Sequence, residues 1–221
     1  MNLLDIHHHS SSNASTRGTI INLTSGFSNL TDKGFFSIGL HPWYLNEENI
    51  FQDFAELKRA SSKPNVVAVG ECGLDKDCKT DWALQENCFR MQIELAEQVQ
   101  KPLIIHCVKA YPEVLGMLKK HRNSVPVVFH GFNKNIEIAK KILNHGYHLS
   151  FGKHLFNENT AQVFTTVPLD RLFLETDASD IPIAAIYEQA CSILDVSIEK
   201  LKIQIEANAI QVFGKSLTTY E

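Results

Sequence analysis

Residues 66–75 read Val-Val-Ala-Val-Gly-Glu-Cys-Gly-Leu-Asp, and this stretch decides the fold. Val66–Val69 is an apolar run with no polar alternation. Such a run suits a strand buried on both faces, as in a parallel sheet. It ends at once in Gly70 and Glu71, then Gly73-Leu74-Asp75. In a parallel barrel, polar groups at the C-terminal ends of strands are where chemistry is placed.

The same form recurs on either side. Apolar runs lie at Leu3–Ile6, Thr19–Leu23, Phe35–Leu40, Pro102–Ile105, Val125–Phe129, Tyr147–Phe151 and Leu172–Leu174. From the third run onward, helical patterns separate them. Residues 47–60 place Ile50, Phe54 and Leu57 on one face, and residues 81–100 do so with Leu84, Cys88, Met91, Leu95 and Val99. These spacings follow the 3.6-residue period of an amphipathic helix. Residues 110–121, 134–145, 182–194 and 197–213 also read as helices, with Gly146 placed to end the fourth of the six. The alternation predicts a TIM-type (β/α)8 barrel, one domain over residues 1–221. The segments between the first three runs are Ser-, Asn-, Thr- and Gly-containing and lack helical periodicity. The predicted barrel is therefore distorted, with one or two outer helices near the N-terminus missing or reduced. The face lacking helices would need cover, for which a second copy of the chain is a candidate.

Composition narrows the function classes. The chain has 221 residues, 44% of them hydrophobic, enough for a sizeable core. Its net charge of −4 shows no excess of the basic residues that grip duplex DNA, so any nucleic-acid contact is expected to be local. Five cysteines, an odd number with no C-x-x-C pair, argue against a disulfide framework or a cysteine zinc site and for a reducing compartment. No signal-peptide pattern and no long apolar stretch appear, so the expectation is a cytoplasmic protein that does not enter a membrane. A G-x-S-x-G elbow and a complete phosphate-binding loop are both lacking from the sequence.

Metal-capable residues gather after the apolar runs: Asp5 and His7 to His9, then His41, Glu71, His106, His130, and Glu175 to Asp177. Imidazole nitrogens and carboxylate oxygens bind Zn²⁺, Mn²⁺ and similar ions. His7 and His9 are two apart on a strand, so they share a face and form a two-ligand clip, with His8 turned away. A carboxylate such as Glu71 can bridge two ions, and His106 and His130 can complete a second site. Asp177 can ligate and also accept a proton from bound water, which divalent ions make a strong nucleophile. His41, before Pro42, is a substrate contact or a packed turn group. Lys109 is a phosphate contact or a solvated lysine, and His154, after the seventh run, is a candidate substrate contact.

Asp5-x-His7-x-His9, Gly39-Leu40-His41-Pro42, Gly70-Glu71-Cys72-Gly73-Leu74-Asp75, Pro102-x-x-x-His106, His130-x-Phe132 and Glu175-Thr176-Asp177-Ala178 resemble, in order, the motifs of the TatD family. Asn208-Ala209-x-x-Val212-Phe213-Gly214 resembles its C-terminal helix. The resemblance implies a metal-dependent hydrolase of the amidohydrolase superfamily, commonly a deoxyribonuclease, with DNA as substrate. It implies two divalent ions (Zn, Mn, Mg or similar): one held by His7, His9, Glu71 and Asp177, the other by Glu71, His106 and His130. It also implies His41 near the scissile phosphate. The chain departs from the pattern in a short gap between His9 and His41, in Val108-Lys109 after the fifth run, and in Ser179-Asp180-Ile181-Pro182 after Asp177. Those altered loops and the net acidity motivate an alternative, an amidohydrolase or phosphoesterase acting on a small molecule with the same metal centre.

Overall fold

The computed structural model describes residues 3–9, 18–214 and 217. Eight strands form one sheet in sequence order: β1 (Asp5–His8), β2 (Thr19–Leu23), β3 (Phe35–Ile38), β4 (Val66–Asp75), β5 (Leu103–Val108), β6 (Val127–Phe129), β7 (His148–Phe151) and β8 (Leu172–Leu174). Neighbours pair in parallel, as β3 with β4 and β4 with β5. The described helices are α1 (Ile50–Ala60), α2 (Trp82–Val99), α3 (Tyr111–Lys120), α4 (Ile136–Asn144), α5 (Glu158–Phe164), α6 (Ile183–Leu194) and α7 (Ile198–Phe213). The fold is a TIM-type (β/α)8 barrel. Its contacts divide into two compact units, one drawn from Met1–Ile21 and Val128–Glu221, the other Asn22–Val127.

In the second unit, β4 runs through Asp75 rather than stopping at Val69, and all ten of its residues are buried. Two glycines make this possible. A Cβ on Gly70 would lie 2.4 Å from the Ile104 carbonyl oxygen, and one on Gly73 would lie 2.0 Å from that of His106. The close approach carries Glu71 to the side of His106. Helix α2 starts at the N-cap Asp81, whose carboxylate accepts from the Leu84 N–H at 3.0 Å, and ends at Gln100 in the left-handed region. Two buried glutamines on α2, seven residues apart and so on one face, bind strand-end backbone. Gln92 bonds both the N–H and the carbonyl of Leu40, at 2.8 and 3.0 Å. Gln85 does the same for Asp75, at 2.9 and 3.1 Å.

Between β2 and β3 the outer helix is reduced to one 3-10 turn, Phe27–Asn29, as the sequence leads one to expect. Phe27 and Leu30 are buried there, and the turn packs on α1, so this stretch is covered from within the chain. Residues 10–17, where the other missing helix was expected, lie outside the described residues.

In the first unit, β1 meets the extension of β8. The Asp177 N–H donates to the His7 carbonyl at 2.8 Å, and the His9 N–H to the Asp177 carbonyl at 3.1 Å. Helix α4 is capped by Asn135 and is followed by Gly146 at φ 77°, the position expected of a terminating glycine. Helix α5 was not expected. Its seven residues bury only Thr160, Val163 and Phe164, too short a pattern for periodicity to register.

Because Gly73 has φ +145° and no room for a Cβ, Gly73→Ala is expected to cost at least about 1–3 kcal/mol, a drop of several degrees in Tm. Thermal denaturation followed by circular dichroism checks this. An unchanged Tm would mean that β4 and β5 can part freely at this point.

Candidate metal centre

Each unit gathers its own set of ligand-type side chains. In the second unit these are Glu71 in β4, His106 in β5 and His41 just beyond β3, each able to bring one ligand atom within 4.8 Å of the others'. Glu71 is 3% exposed. Its Oε1 lies 2.8 Å from His106 Nδ1 and 3.1 Å from His41 Nε2. Its Oε2 accepts from the Asn22 amide at 3.4 Å, and its own N–H donates to Asn22 Oδ1 at 2.8 Å.

The hydrogen bonds distinguish the two histidines. The Trp43 N–H donates to His41 Nδ1 at 3.1 Å, so that nitrogen is an acceptor. A neutral His41 then carries its proton on Nε2 and donates to Glu71, as a polar contact rather than a metal ligand. His106 has the reverse arrangement. Its Nε2 lies 2.9 Å from Asp75 Oδ2, which leaves Nδ1 turned to Glu71. With the ring proton held by Asp75, Nδ1 and Glu71 Oε1 are two acceptors facing each other at 2.8 Å. Only a proton or a cation between them reconciles such a pair. A histidine whose far nitrogen is held by a carboxylate is the usual form of a metal ligand.

Asp75, the last residue of β4, is the carboxylate that holds His106. It also accepts from Trp43 Nε1 at 2.6 Å and from the Asp77 N–H at 2.7 Å. Burial opposes its ionisation, but the bonds from His106 and Trp43 outweigh burial and hold the carboxyl well below the usual range. Lys109 follows β5, is exposed, and pairs with Asp77 at 2.8 Å.

In the first unit, His7, His130 and Asp177 converge in the same way. His7 is fully buried; its ring lies 4.3 Å from that of His130 and 5.0 Å from that of His9. Asp177 Oδ1 lies 3.4 Å from His9 Nε2 and 3.9 Å from His7 Nε2. His130 thus stands beside His7. His8 points away, as strand alternation requires, to Thr176 Oγ1 at 2.8 Å. Behind His130 lies Glu175, fully buried, its Oε1 3.4 Å from His130 Nδ1 and accepting from the Gly131 N–H at 2.6 Å. Burial alone would raise the pKa of Glu175, but His130 and the charge of His7 bring it below its ordinary value. Asp5, the first residue of the D-x-H-x-H motif, accepts from the Thr176 hydroxyl at 2.5 Å and N–H at 3.0 Å. Its burial pushes the carboxyl up to about 7. His154, half-buried, lines a groove of about 660 Å³ with Lys134 and several amide side chains. Burial and the charges of Lys153 and Lys134 lower its pKa, partly offset by Asp177 and Glu175.

Asp75, Gln85 and Gln92 are working residues that sequence reading did not assign to the site, and Glu175 was named there among the metal-capable residues but not as the partner of His130. The signal available for the glutamines was their place on the apolar side of the α2 pattern, and for Glu175 its adjacency to Asp177.

A parallel barrel with histidine–carboxylate clusters at its strand ends defines a metal-dependent hydrolase of the TIM-barrel type. The chain belongs to the TatD family: the TatD related DNase model matches residues 9–214. A metal-dependent hydrolase of Haemophilus influenzae is 31% identical over 219 residues, spanning 89% of this chain and 82% of the relative. The 3'-5' ssDNA/RNA exonuclease TatD of Cronobacter turicensis is 33% identical over 147 residues, covering 63% of this chain and 55% of that enzyme. The crystal structure of YJJV, a TatD homolog from Escherichia coli, shares the fold with a TM-score of 0.79 at 24% identity, covering 89% of this chain and 86% of that one. Among the described residues no helix is long and apolar enough to cross a membrane.

If Asp75 fixes His106 as a ligand, Asp75→Ala is expected to weaken divalent-ion affinity about 10- to 100-fold with the fold intact. Isothermal titration with Mn²⁺ or Zn²⁺ measures it. Wild-type affinity in the variant would show that His106 is oriented by something else.

Proposed function

We propose that this TatD hydrolase is a nuclease that cleaves phosphodiester bonds of DNA, acting on single strands or from an end. The observation that carries the reading is the buried Glu71–His106 pair, whose facing acceptors at 2.8 Å would accommodate a cation between them. The named activity of the Cronobacter relative supports the substrate class. In this reading two divalent ions (Mg, Mn, Zn or similar) are bound, one by His7, His9, His130 and Asp177, the other by Glu71 and His106. Bound there, they would supply charge stabilisation for the phosphodiester and a water acidified enough to attack at neutral pH. Asp177, its carboxylate partly exposed and its backbone tied to His7 and His9, would be placed to accept a proton from an attacking water. Glu71 would hold the second ion near the reacting phosphate, and His41, whose Nε2–H donates to Glu71, would keep that carboxylate in place. His154 and Lys109 are the candidate contacts for the rest of the strand.

The test is cleavage of end-labelled single-stranded DNA with Mg²⁺ or Mn²⁺, a chelator control, and Asp177→Asn in parallel. The wild type is expected to cleave only with metal. Asp177→Asn should retain metal, read by elemental analysis, and lose about 10²- to 10⁴-fold in rate. Full activity in the variant would remove Asp177 as the base. A wild type that binds metal and hydrolyses small phosphoesters but no DNA would move the assignment to the small-molecule alternative.

A further inference from the structure

We propose that Trp43 and Tyr44 form a stacking platform that seats a nucleobase of a single strand beside the His41–Glu71–His106 cluster; the proposal rests on the nuclease reading above. Both rings are more than half exposed, Trp43 at 56% and Tyr44 at 64%, and they are consecutive in a 3-10 turn, Pro42–Tyr44, directly after β3. Exposed apolar side chains that stand together, rather than scattered singly, are where interaction sites are found. The rings lie against the cluster itself. Trp43 is 5.0 Å from the His41 ring and 5.8 Å from that of His106, and Tyr44 is 5.5 Å from His41.

The platform is built, not loose. Trp43 Nε1 is tied to Asp75, the same carboxylate that orients His106. Pro42 fixes the first position of the turn, and the Tyr44 N–H donates to the His41 carbonyl at 3.1 Å. A base that stacks there orders little that is not already ordered. The two rings meet nearly edge-on, 6.4 Å apart at 77°, so they offer two differently directed faces. Among the described residues the Tyr44 hydroxyl makes no hydrogen bond, which leaves it available to a base edge.

Charge points the same way. The chain is net acidic, and the small cavity beside Tyr44, about 90 Å³, is walled by Asp53 and Glu56. Phosphate is disfavoured there, while a base, which is neutral and has a π-face, is not. Stacking on aromatic side chains holds single strands without sequence preference and without a large basic surface.

The chain has two tryptophans, so Trp82→Phe leaves Trp43 as the sole indole. That variant, without added metal and with chelator to prevent turnover, is titrated with a short oligonucleotide and with an abasic strand of the same length. The oligonucleotide is expected to quench Trp43 emission and the abasic strand to leave it nearly unchanged. Adding Tyr44→Ala should weaken oligonucleotide binding about 5- to 100-fold, and Tyr44→Phe should restore most of it. With metal present, Tyr44→Ala should lower the ratio of kcat/KM on the oligonucleotide to that on the abasic strand. Equal quenching by both strands, or an unchanged ratio, would overturn the platform while leaving the nuclease reading intact. Base-dependent quenching by a protein that cleaves no DNA would keep the platform and sink the nuclease reading.

Discussion

Glu71 is 3% exposed, and a charged carboxylate at that depth is costly unless it is paired and hydrogen-bonded. Much of the second unit can be understood as meeting that requirement. Asn22 contacts both the backbone and the carboxylate of Glu71, and is itself held by the Ser37 hydroxyl at 3.1 Å. His41 donates from one side, and His106 faces it from the other. The glycines at 70 and 73 bring β4 close enough to β5 for the last of these contacts. Gln92 holds the backbone of Leu40, one residue before His41, and Gln85 holds that of Asp75. An amide side chain that bonds both the N–H and the C=O of one residue satisfies two buried groups at once. It also fixes the direction in which the next side chain leaves the strand.

The first unit solves a related problem with a related device. His130 is backed by the buried Glu175, as His106 is backed by Asp75. In each case a buried carboxylate lies against one ring nitrogen. Such a partner sets the tautomer and raises the basicity of the free nitrogen, both of which favour ligation. The contacts differ in length, 3.4 Å for His130 and 2.9 Å for His106, so His106 is the more firmly set of the two.

The strands were legible because burial on both faces writes itself as unbroken apolar runs, and β2 and β8 match their runs residue for residue. The candidate ligand histidines were legible because they stand immediately after those runs. What escaped was of another kind. The extension of β4 through Glu71 and Asp75 is hidden because buried polar residues and glycines look like the end of a strand. Gln85, Gln92, Asp75 and Glu175 act on backbone groups or on other side chains far away in sequence, and a partner of that sort leaves no mark at fixed spacing. The protonation of His41 is likewise invisible in sequence, since it depends on one backbone N–H two residues on.

Asp177 explains why loops that depart from the family's pattern need not disturb the centre. Its φ of +55° is unfavourable for a residue with a side chain, although Asp tolerates the left-handed region better than most. The cost is offset by its surroundings: its N–H is bonded to His7 in β1 and its carbonyl to His9, the residue just beyond that strand. Asp5 reinforces the same seam by accepting from the backbone and hydroxyl of Thr176. Two candidate ligand histidines and the carboxylate that faces them are thus fixed by backbone bonds, not by the loops that follow. A loop after Asp177 can shorten or change composition, and the direction of the carboxylate is still set by β1. The geometry of these candidate ligands is held by the sheet itself.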